Sequence, residues 1–370
     1  MTWMEHLIRK PLAELEPYKP GKPVGEVQRE YGLREIIRLC SNENPWPLPE
    51  RVLQAIREAA GDIHRYPDPA AYHLRRAIAR HLGVSPQETI VGGGTEGILY
   101  AFFQALIDEG DEVVYPVPTY PIYRLAACAA GARCVTHPLR EDHTVDVDGL
   151  VALCGERTKA LVLCNPNNPT GNILPRADLL QMASQLEEKQ VLLVVDEAYA
   201  EYVTDPRYVS GVDLFRQLGN IVILRTFSKI YGLAGLRVGY AIAPKPVVEA
   251  FAKVRRVFGV NSIGQAAALA ALEGQDFIAQ VRERTLLEKE KMVRGITETG
   301  VKVFSTQTNF VLLELPNAPA VYENLLRAGI IVRLGEDLGM PGTLRVTVGL
   351  PEENDRFLKE LRRALRRLDR

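Results

Sequence analysis

From Thr89 to about Ala243 the sequence alternates short β-rich runs with longer segments of helical period. That alternation is the mark of parallel strands joined by crossover helices, because a parallel neighbour can only be reached by carrying the chain back over the sheet. Strands are predicted at 112–115, 133–137, 160–164, 191–196, 221–225 and 238–242. Several of them, such as Val-Leu-Leu-Val-Val at 191–195, are apolar throughout, as a sheet covered on both faces requires. Helical spacing is read at 95–107, 120–130 and 176–189, with Gly, Pro and Asp as punctuation. After Ala243 the pattern changes. Long helical stretches at 245–258, 262–273 and 275–297 are followed by strand-like pieces at 301–304, 310–314, 330–333 and 343–348, and by a closing helix at 352–368. This last third reads as a separate α+β unit, with the extended, Pro-rich first 45 residues lying against it.

At 370 residues the chain exceeds what one core usually organises, so a large domain with a smaller companion is expected. Lys and Arg number 45 against 46 Asp and Glu, a formal charge of −1 with both signs mixed along the chain. No excess of basic charge marks it for nucleic acid or an anionic membrane. No stretch approaches about 18 uninterrupted apolar residues, and the opening segment has no apolar run of signal-peptide length, so a cytoplasmic protein is expected. Five cysteines, Cys40, Cys128, Cys134, Cys154 and Cys164, show neither CxxC nor Cys/His ligand spacing and read as buried thiols in a reducing compartment. No metal site is expected.

Four segments carry chemistry. In TFSKIYGLAGLRVGY, 226–240, Lys229 lies just beyond an apolar strand, with Thr226 and Ser228 before it and Arg237 after it. A lysine amine whose pKa is lowered by burial forms Schiff bases with aldehydes, and two hydroxyls and a forked cation suit a phosphate. Taken alone, a Ser-Lys pair after a strand is usually a surface lysine. In VDEAY, 195–199, Asp196 ends a hydrophobic strand where ligands of open α/β sheets bind. A carboxylate there can pair with a protonated pyridine nitrogen, and Tyr199 can reach a phenolic oxygen of the ring. A helix cap or a magnesium carboxylate are the plainer readings, although no GxxxxGK[ST] loop supports a nucleotide. CNPNNPTG, 164–171, forces a polar turn at a strand end and leaves the Asn168 amide to face a ligand. VGGGTEGILYAF, 91–103, starts a helix with glycines, and unblocked amides at a helix start favour phosphate. Singly, each of the last two is an ordinary turn.

Together, in this order and spacing, the segments resemble the fold-type I aminotransferases, and within them the histidinol-phosphate aminotransferases. The resemblance runs from EPYKPGKP at 16–23 through SNENP, RYPDP, PTYPIY, NPNNPTG, VDEAY, TFSKIYGLAGLRVGY and TNF to RVTVG at 345–349. It implies an α/β large domain, residues 46–256, built on a mostly parallel seven-stranded sheet between helices, and a smaller α+β domain made of 1–45 and 257–370. It implies pyridoxal 5'-phosphate as cofactor, with Lys229 as its Schiff-base lysine and proton carrier and Asp196 on the pyridinium nitrogen. Asn168 and Tyr199 would bind the phenolic oxygen, Tyr120 would stack on the ring, and Gly94, Thr95, Thr226, Ser228 and Arg237 would hold the phosphate. Tyr66 would reach the phosphate of a neighbouring subunit, making the active unit a homodimer. For substrates, Arg345 matches a carboxylate-binding arginine and Arg333 the arginine for a substrate phosphate, with Tyr18, Asn42 and Asn309 lining the same pocket.

Two departures bear on the substrate: Thr95 stands where an acidic residue is common, and RRVFGVNS at 255–262 lacks the proline and asparagine of a PFNVN stretch. Aromatic-amino-acid aminotransferases and threonine-phosphate decarboxylases share the cofactor and fold, so both remain open on the sequence. A non-catalytic cofactor-binding regulator needs a DNA-binding module, and the first 45 residues are too short and Pro-rich to form one.

Overall fold

A computed structural model describes residues 3–12 and 15–368. The segment before residue 46 carries a helix, α1 (Val24–Tyr31), and a two-residue strand, β1 (Ile37–Arg38), so it is not extended throughout as predicted. Two amphipathic helices follow, α2 (Glu50–Ala60) and α3 (Tyr72–Leu82). The sheet region then runs β2 (Thr89–Gly92), α4 (Gly94–Leu106), β3 (Glu112–Val117), α5 (Ile122–Ala130), β4 (Arg133–Pro138), α6 (Val147–Ala152), β5 (Thr158–Cys164), α7 (Arg176–Glu188) and β6 (Leu192–Asp196). It closes with α8 (Gly211–Leu214), β7 (Ile221–Thr226), β8 (Gly239–Ile242) and α9 (Lys245–Val254). Beyond it come α10 (Ser262–Leu272), α11 (Gln275–Thr297), β9 (Lys302–Phe304), β10 (Phe310–Glu314), α12 (Ala318–Arg327), β11 (Ile330–Ile331), β12 (Arg333–Leu334), β13 (Thr343–Thr347) and α13 (Pro351–Leu368).

Among the described residues the large sheet has seven strands in the order β2-β8-β7-β6-β5-β3-β4. The pairs from β7 to β4 are parallel, and β8 runs antiparallel to both β7 and β2. Strand β2 is the seventh, absent from the predicted strands because its four residues run straight into glycines and are too short to show a period. Both faces are covered. Leu161, Leu163, Leu193, Val195, Ile221 and Ile223 enter one core, while Val162, Cys164, Val194, Val222 and Leu224 enter another with α4 and α5. Burying each such side chain stabilises the fold by roughly 1.5–3 kcal/mol, which is why the strands read as continuous apolar runs.

A four-stranded antiparallel sheet, β12-β13-β10-β9, forms the smaller unit with α12 and α13. The strand predicted at 330–333 divides in two: β11 pairs in parallel with β1, and β12 joins the four-stranded sheet. The pairing of β1 fastens the N-terminal segment to the smaller unit. The division expected at 256/257 needs correction. Ala267, Ala268, Ala271 and Leu272 of α10, and Ile278 and Val281 of α11, belong to the large core, whereas Met292 and Ile296 of α11 enter the small one. We place the boundary inside α11. The helix predicted over 245–258 stops at Val254, leaving Arg255–Phe258 outside it. Cys128 and Cys134 are half-buried rather than buried, with their sulfurs 3.3 Å apart.

Candidate active site

A cleft of about 910 Å³ opens at the carboxyl ends of the parallel strands, where it meets the smaller unit. Its lining includes Tyr18, Asn42, Thr95, Tyr120, Asn168, Asp196, Tyr199, Thr226, Ser228, Lys229, Arg237, Arg333 and Arg345, side chains more than 300 residues apart in sequence. Strand geometry explains the convergence: β5 delivers Cys164 and the turn to Asn168, β6 ends on Asp196, and β7 ends on Thr226, three residues before Lys229.

Asp196 continues the alternation of β6, so it points to the same face as Val194, toward α5. There the Tyr123 hydroxyl donates to its Oδ2 at 2.9 Å, and the Ala198 amide donates to Oδ1 at 3.2 Å. Burial pushes its carboxyl up to about 6, the two hydrogen bonds opposing the rise. Lys229 is half-buried, and its amine donates to the Ser41 carbonyl at 2.9 Å. Its amine is pushed down to about 8, by burial first and then by the positive charges of Arg345 and Arg237. The Tyr199 hydroxyl accepts a hydrogen bond from Asn42 Nδ2 at 2.9 Å, and burial pushes its phenol upward. Asn42 adopts a left-handed backbone, φ 52°, a conformation asparagine tolerates better than most residues, and its amide donates to Thr347 Oγ1.

At the other end of the cleft, Gly93 caps α4, and Gly94 and Thr95 begin it. The close approach of β8 demands glycine here: a Cβ on Gly239 would lie 2.6 Å from the Thr95 amide nitrogen. Ser228 Oγ accepts from Arg237 Nη1 at 3.4 Å, and Thr226 Oγ1 accepts from the Ser228 amide. A helix start, two hydroxyls and a guanidinium thus face one spot, an anion cradle.

The smaller unit contributes two arginines that β12 and β13 place directly opposite each other, Arg333 against Arg345. Arg345 donates to Asn168 Oδ1 at 2.5 Å and to the Cys40 carbonyl at 2.7 Å, yet among the described residues its Nε has no partner. Arg333 is 2% exposed; its Nη2 donates to the Lys19 carbonyl, and among the described residues its Nε and Nη1 have no partner. Burial, together with the charge of Arg333, pushes the Arg345 guanidinium below its ordinary value. Like charges opposite each other on neighbouring strands destabilise a sheet, and buried unpaired donors cost more. This pair makes sense as a receptor for anions.

Three predicted residues stand apart from the cleft wall. Asn309 lies behind it, donating to the Asn42 carbonyl at 3.1 Å. Gly94 adjoins Thr95 without lining the cavity. Tyr66 is 80% exposed, stacks on Phe258 at 4.3 Å and does not line this chain's own cleft. The sequence reading missed Tyr123, whose place on α5 three residues after Tyr120 resembles that of any core aromatic. It also missed the backbone carbonyls of Cys40 and Ser41, which carry no side-chain signal.

The family model for aminotransferase class I and II matches residues 34–361. A histidinol-phosphate aminotransferase of Anaeromyxobacter sp. (strain Fw109-5) is 42% identical over 97% of this chain and 99% of its own length. Histidinol-phosphate aminotransferase 2 of Carboxydothermus hydrogenoformans is 39% identical over the same shares. Among solved structures, histidinol-phosphate aminotransferase from Sinorhizobium meliloti in complex with pyridoxal-5'-phosphate superposes with a TM-score of 0.88 at 31% identity, covering 98% of both chains. Aspartate aminotransferase from Thermus thermophilus with maleate gives 0.84 at 28% identity, covering 96% of this chain and 99% of that one. Matched across both the large and the small unit, this chain belongs to the class I and II aminotransferases.

Proposed function

We propose that the chain is a pyridoxal-phosphate-dependent aminotransferase that exchanges the amino group between L-histidinol phosphate and 2-oxoglutarate in histidine biosynthesis. The observation that carries the substrate is the buried Arg333–Arg345 pair, with three guanidinium nitrogens unpartnered in the same cleft as the lysine. One arginine suits the carboxylate of glutamate and the other the phosphate of histidinol phosphate; an uncharged phenyl ring leaves Arg333 unpaired.

The residues fit the cofactor. The anion cradle at the start of α4 suits its phosphate, and Asp196, already ionisable beneath the cleft, suits the ring nitrogen. Pyridoxal phosphate, when bound, supplies an aldehyde that condenses with amines and a ring that withdraws the electron pair of a bond broken at the substrate α-carbon. Lys229, its amine pushed down to about 8, would hold the cofactor and then carry the proton removed from the α-carbon. Asp196 would keep a proton on the ring nitrogen, and Tyr123 holds the carboxylate in place. Asn168 offers its Nδ2 to the phenolic oxygen because its Oδ1 is taken by Arg345. Tyr199 would bind the same oxygen, Tyr120 would stack on the ring, and Thr95, Thr226, Ser228 and Arg237 would hold the phosphate.

The exposed Tyr66–Phe258 stack supports a homodimer in which Tyr66 reaches the other copy's phosphate. Among the described residues no helix is long and apolar enough to cross a membrane, and we place the enzyme in the cytoplasm. The test is a half-reaction with histidinol phosphate, phenylalanine and threonine phosphate side by side. Fastest conversion of histidinol phosphate to its ketone is expected. Preference for phenylalanine, or carbon dioxide release from threonine phosphate, overturns the assignment.

A further inference from the structure

Lys289 lies outside the cleft, yet it is only 9% exposed. It sits on α11 between the stretch that enters the large core, Ile278 and Val281, and the stretch that enters the small one, Met292 and Ile296. A buried lysine is costly unless its donors are used. Here the amine donates to the carbonyls of Thr306 and Thr308, each at 3.0 Å, which bracket the turn leading into β10.

That turn is tied to the large unit from its other side. The Gln307 amide donates to the Gly171 carbonyl at 2.8 Å, and Gln307 Oε1 accepts from the Thr204 amide at 2.9 Å and the Asp205 amide at 3.2 Å. Thr306 packs so closely on Gly171 that a Cβ there would lie 2.2 Å from its Oγ1. Leaving the turn, Asn309 donates to the Asn42 carbonyl, and Phe310 lies edge-on to Tyr199 at 5.4 Å and under the Arg345 guanidinium at 5.3 Å. Asn42 in turn donates to the Tyr199 hydroxyl.

We propose that Lys289 is a positioning residue for the transamination: its amine fixes the 305–309 turn between the two units, and through Asn309 and Phe310 it sets the places of Tyr199 and Arg345. Without the amine, two buried carbonyls lose their donor and the turn loosens on the side facing the small unit, while Gln307 still grips the large one. Arg345 then samples positions away from the substrate carboxylate. This inference rests on the aminotransferase reading.

The test is Lys289→Met in the loaded enzyme, with Lys289→Arg as the conservative variant. Two quantities are read: amide hydrogen exchange of residues 305–310, and the glutamate half-reaction followed by cofactor absorbance over a range of concentrations. For Lys289→Met we expect faster exchange confined to this turn and its neighbours. The ratio of maximal rate to half-saturating glutamate should fall about 10- to 100-fold, the scale of a small misplacement of binding groups. Most of that loss should lie in the half-saturating concentration, with Lys289→Arg recovering part of it. Unchanged exchange and a half-reaction within about twofold of the parent, even with a lowered melting temperature, overturn the proposal and leave Lys289 a core filler. Should the methionine variant fail to fold, Lys289→Gln is read in the same two ways. If the parent enzyme does not respond to glutamate, the aminotransferase reading fails, and the exchange result still decides whether Lys289 holds the turn.

Discussion

Replacing Asp196 by asparagine should stabilise the cofactor-free protein at neutral pH while it cripples cofactor binding. Burial sets the sign of the effect: Asp196 is 2% exposed, and its carboxyl is raised to about 6 from an ordinary 3.8. A raised carboxyl binds its proton more tightly in the folded state, so stability falls as pH climbs between about 3.8 and 6 and then stays at the lower level. At about 1.4 kcal/mol per pH unit, the full penalty is roughly 3 kcal/mol. By the same linkage roughly half of it is present at pH 5 and nearly all at pH 7.5, a difference of roughly 1–2 kcal/mol. Asparagine carries no such penalty, but its neutral oxygen accepts the Tyr123 hydroxyl less strongly, which costs about 1 kcal/mol. Net stabilisation of Asp196→Asn at pH 7.5 is therefore about 1–2 kcal/mol. Urea unfolding of cofactor-free parent and variant at pH 5 and 7.5, at one protein concentration, measures it. A gap between the two proteins that stays the same at both pH values, or closes as pH rises, refutes the argument.

Tyr123→Phe should leave the Asp196 side chain with only the Ala198 amide and raise its carboxyl further, because a hydrogen bond to the charged form is lost. The pH midpoint of cofactor binding should move upward with it, and an unmoved midpoint counts against Tyr123 as the residue that holds Asp196. Arg333→Ala should weaken histidinol phosphate by about 2–4 kcal/mol, the scale for truncating one partner of a buried charge pair, while sparing phenylalanine. Comparing the half-reaction constants decides this, and equal losses for both substrates remove the phosphate role. Tyr66→Phe should reduce cofactor affinity in dilution experiments, and mixing it with a Lys229→Ala variant should yield hybrid dimers with one intact site. No recovery of activity on mixing argues against a shared site.

How much of this was legible beforehand follows from where each residue sits. Asp196 and Lys229 stand at the ends of apolar strands, and a strand end in a parallel sheet points at the ligand cleft whatever else the chain does. The opposition of Arg333 and Arg345 depends on antiparallel register between strands ten residues apart, which no local pattern reveals. Tyr123 is hidden by its own chemistry, since an aromatic on an apolar helix face reads as core until its hydroxyl partner is known. Lys289 is hidden for the converse reason: a lysine on a long charged helix reads as a solvated face, and its acceptors are backbone carbonyls. Strand β2 and the division of 330–334 into two strands were lost because segments of two to four residues carry too little period. The domain boundary was misplaced because α10, rich in alanine, shows a helix but not which core it enters. Tyr66 is proposed on its motif alone, and its exposure would gain meaning only beside a second copy.

The account turns on which amine takes up pyridoxal phosphate. Two lysines, the half-buried Lys229 and the buried Lys289, have amines pushed down to about 8. Only Lys229 opens onto the cleft, whereas Lys289 is spent on two carbonyls. Reduction of the loaded protein with borohydride, followed by peptide mapping, should place a single pyridoxyl group on Lys229. A label on Lys289 or another lysine, or no label at all, contradicts the account.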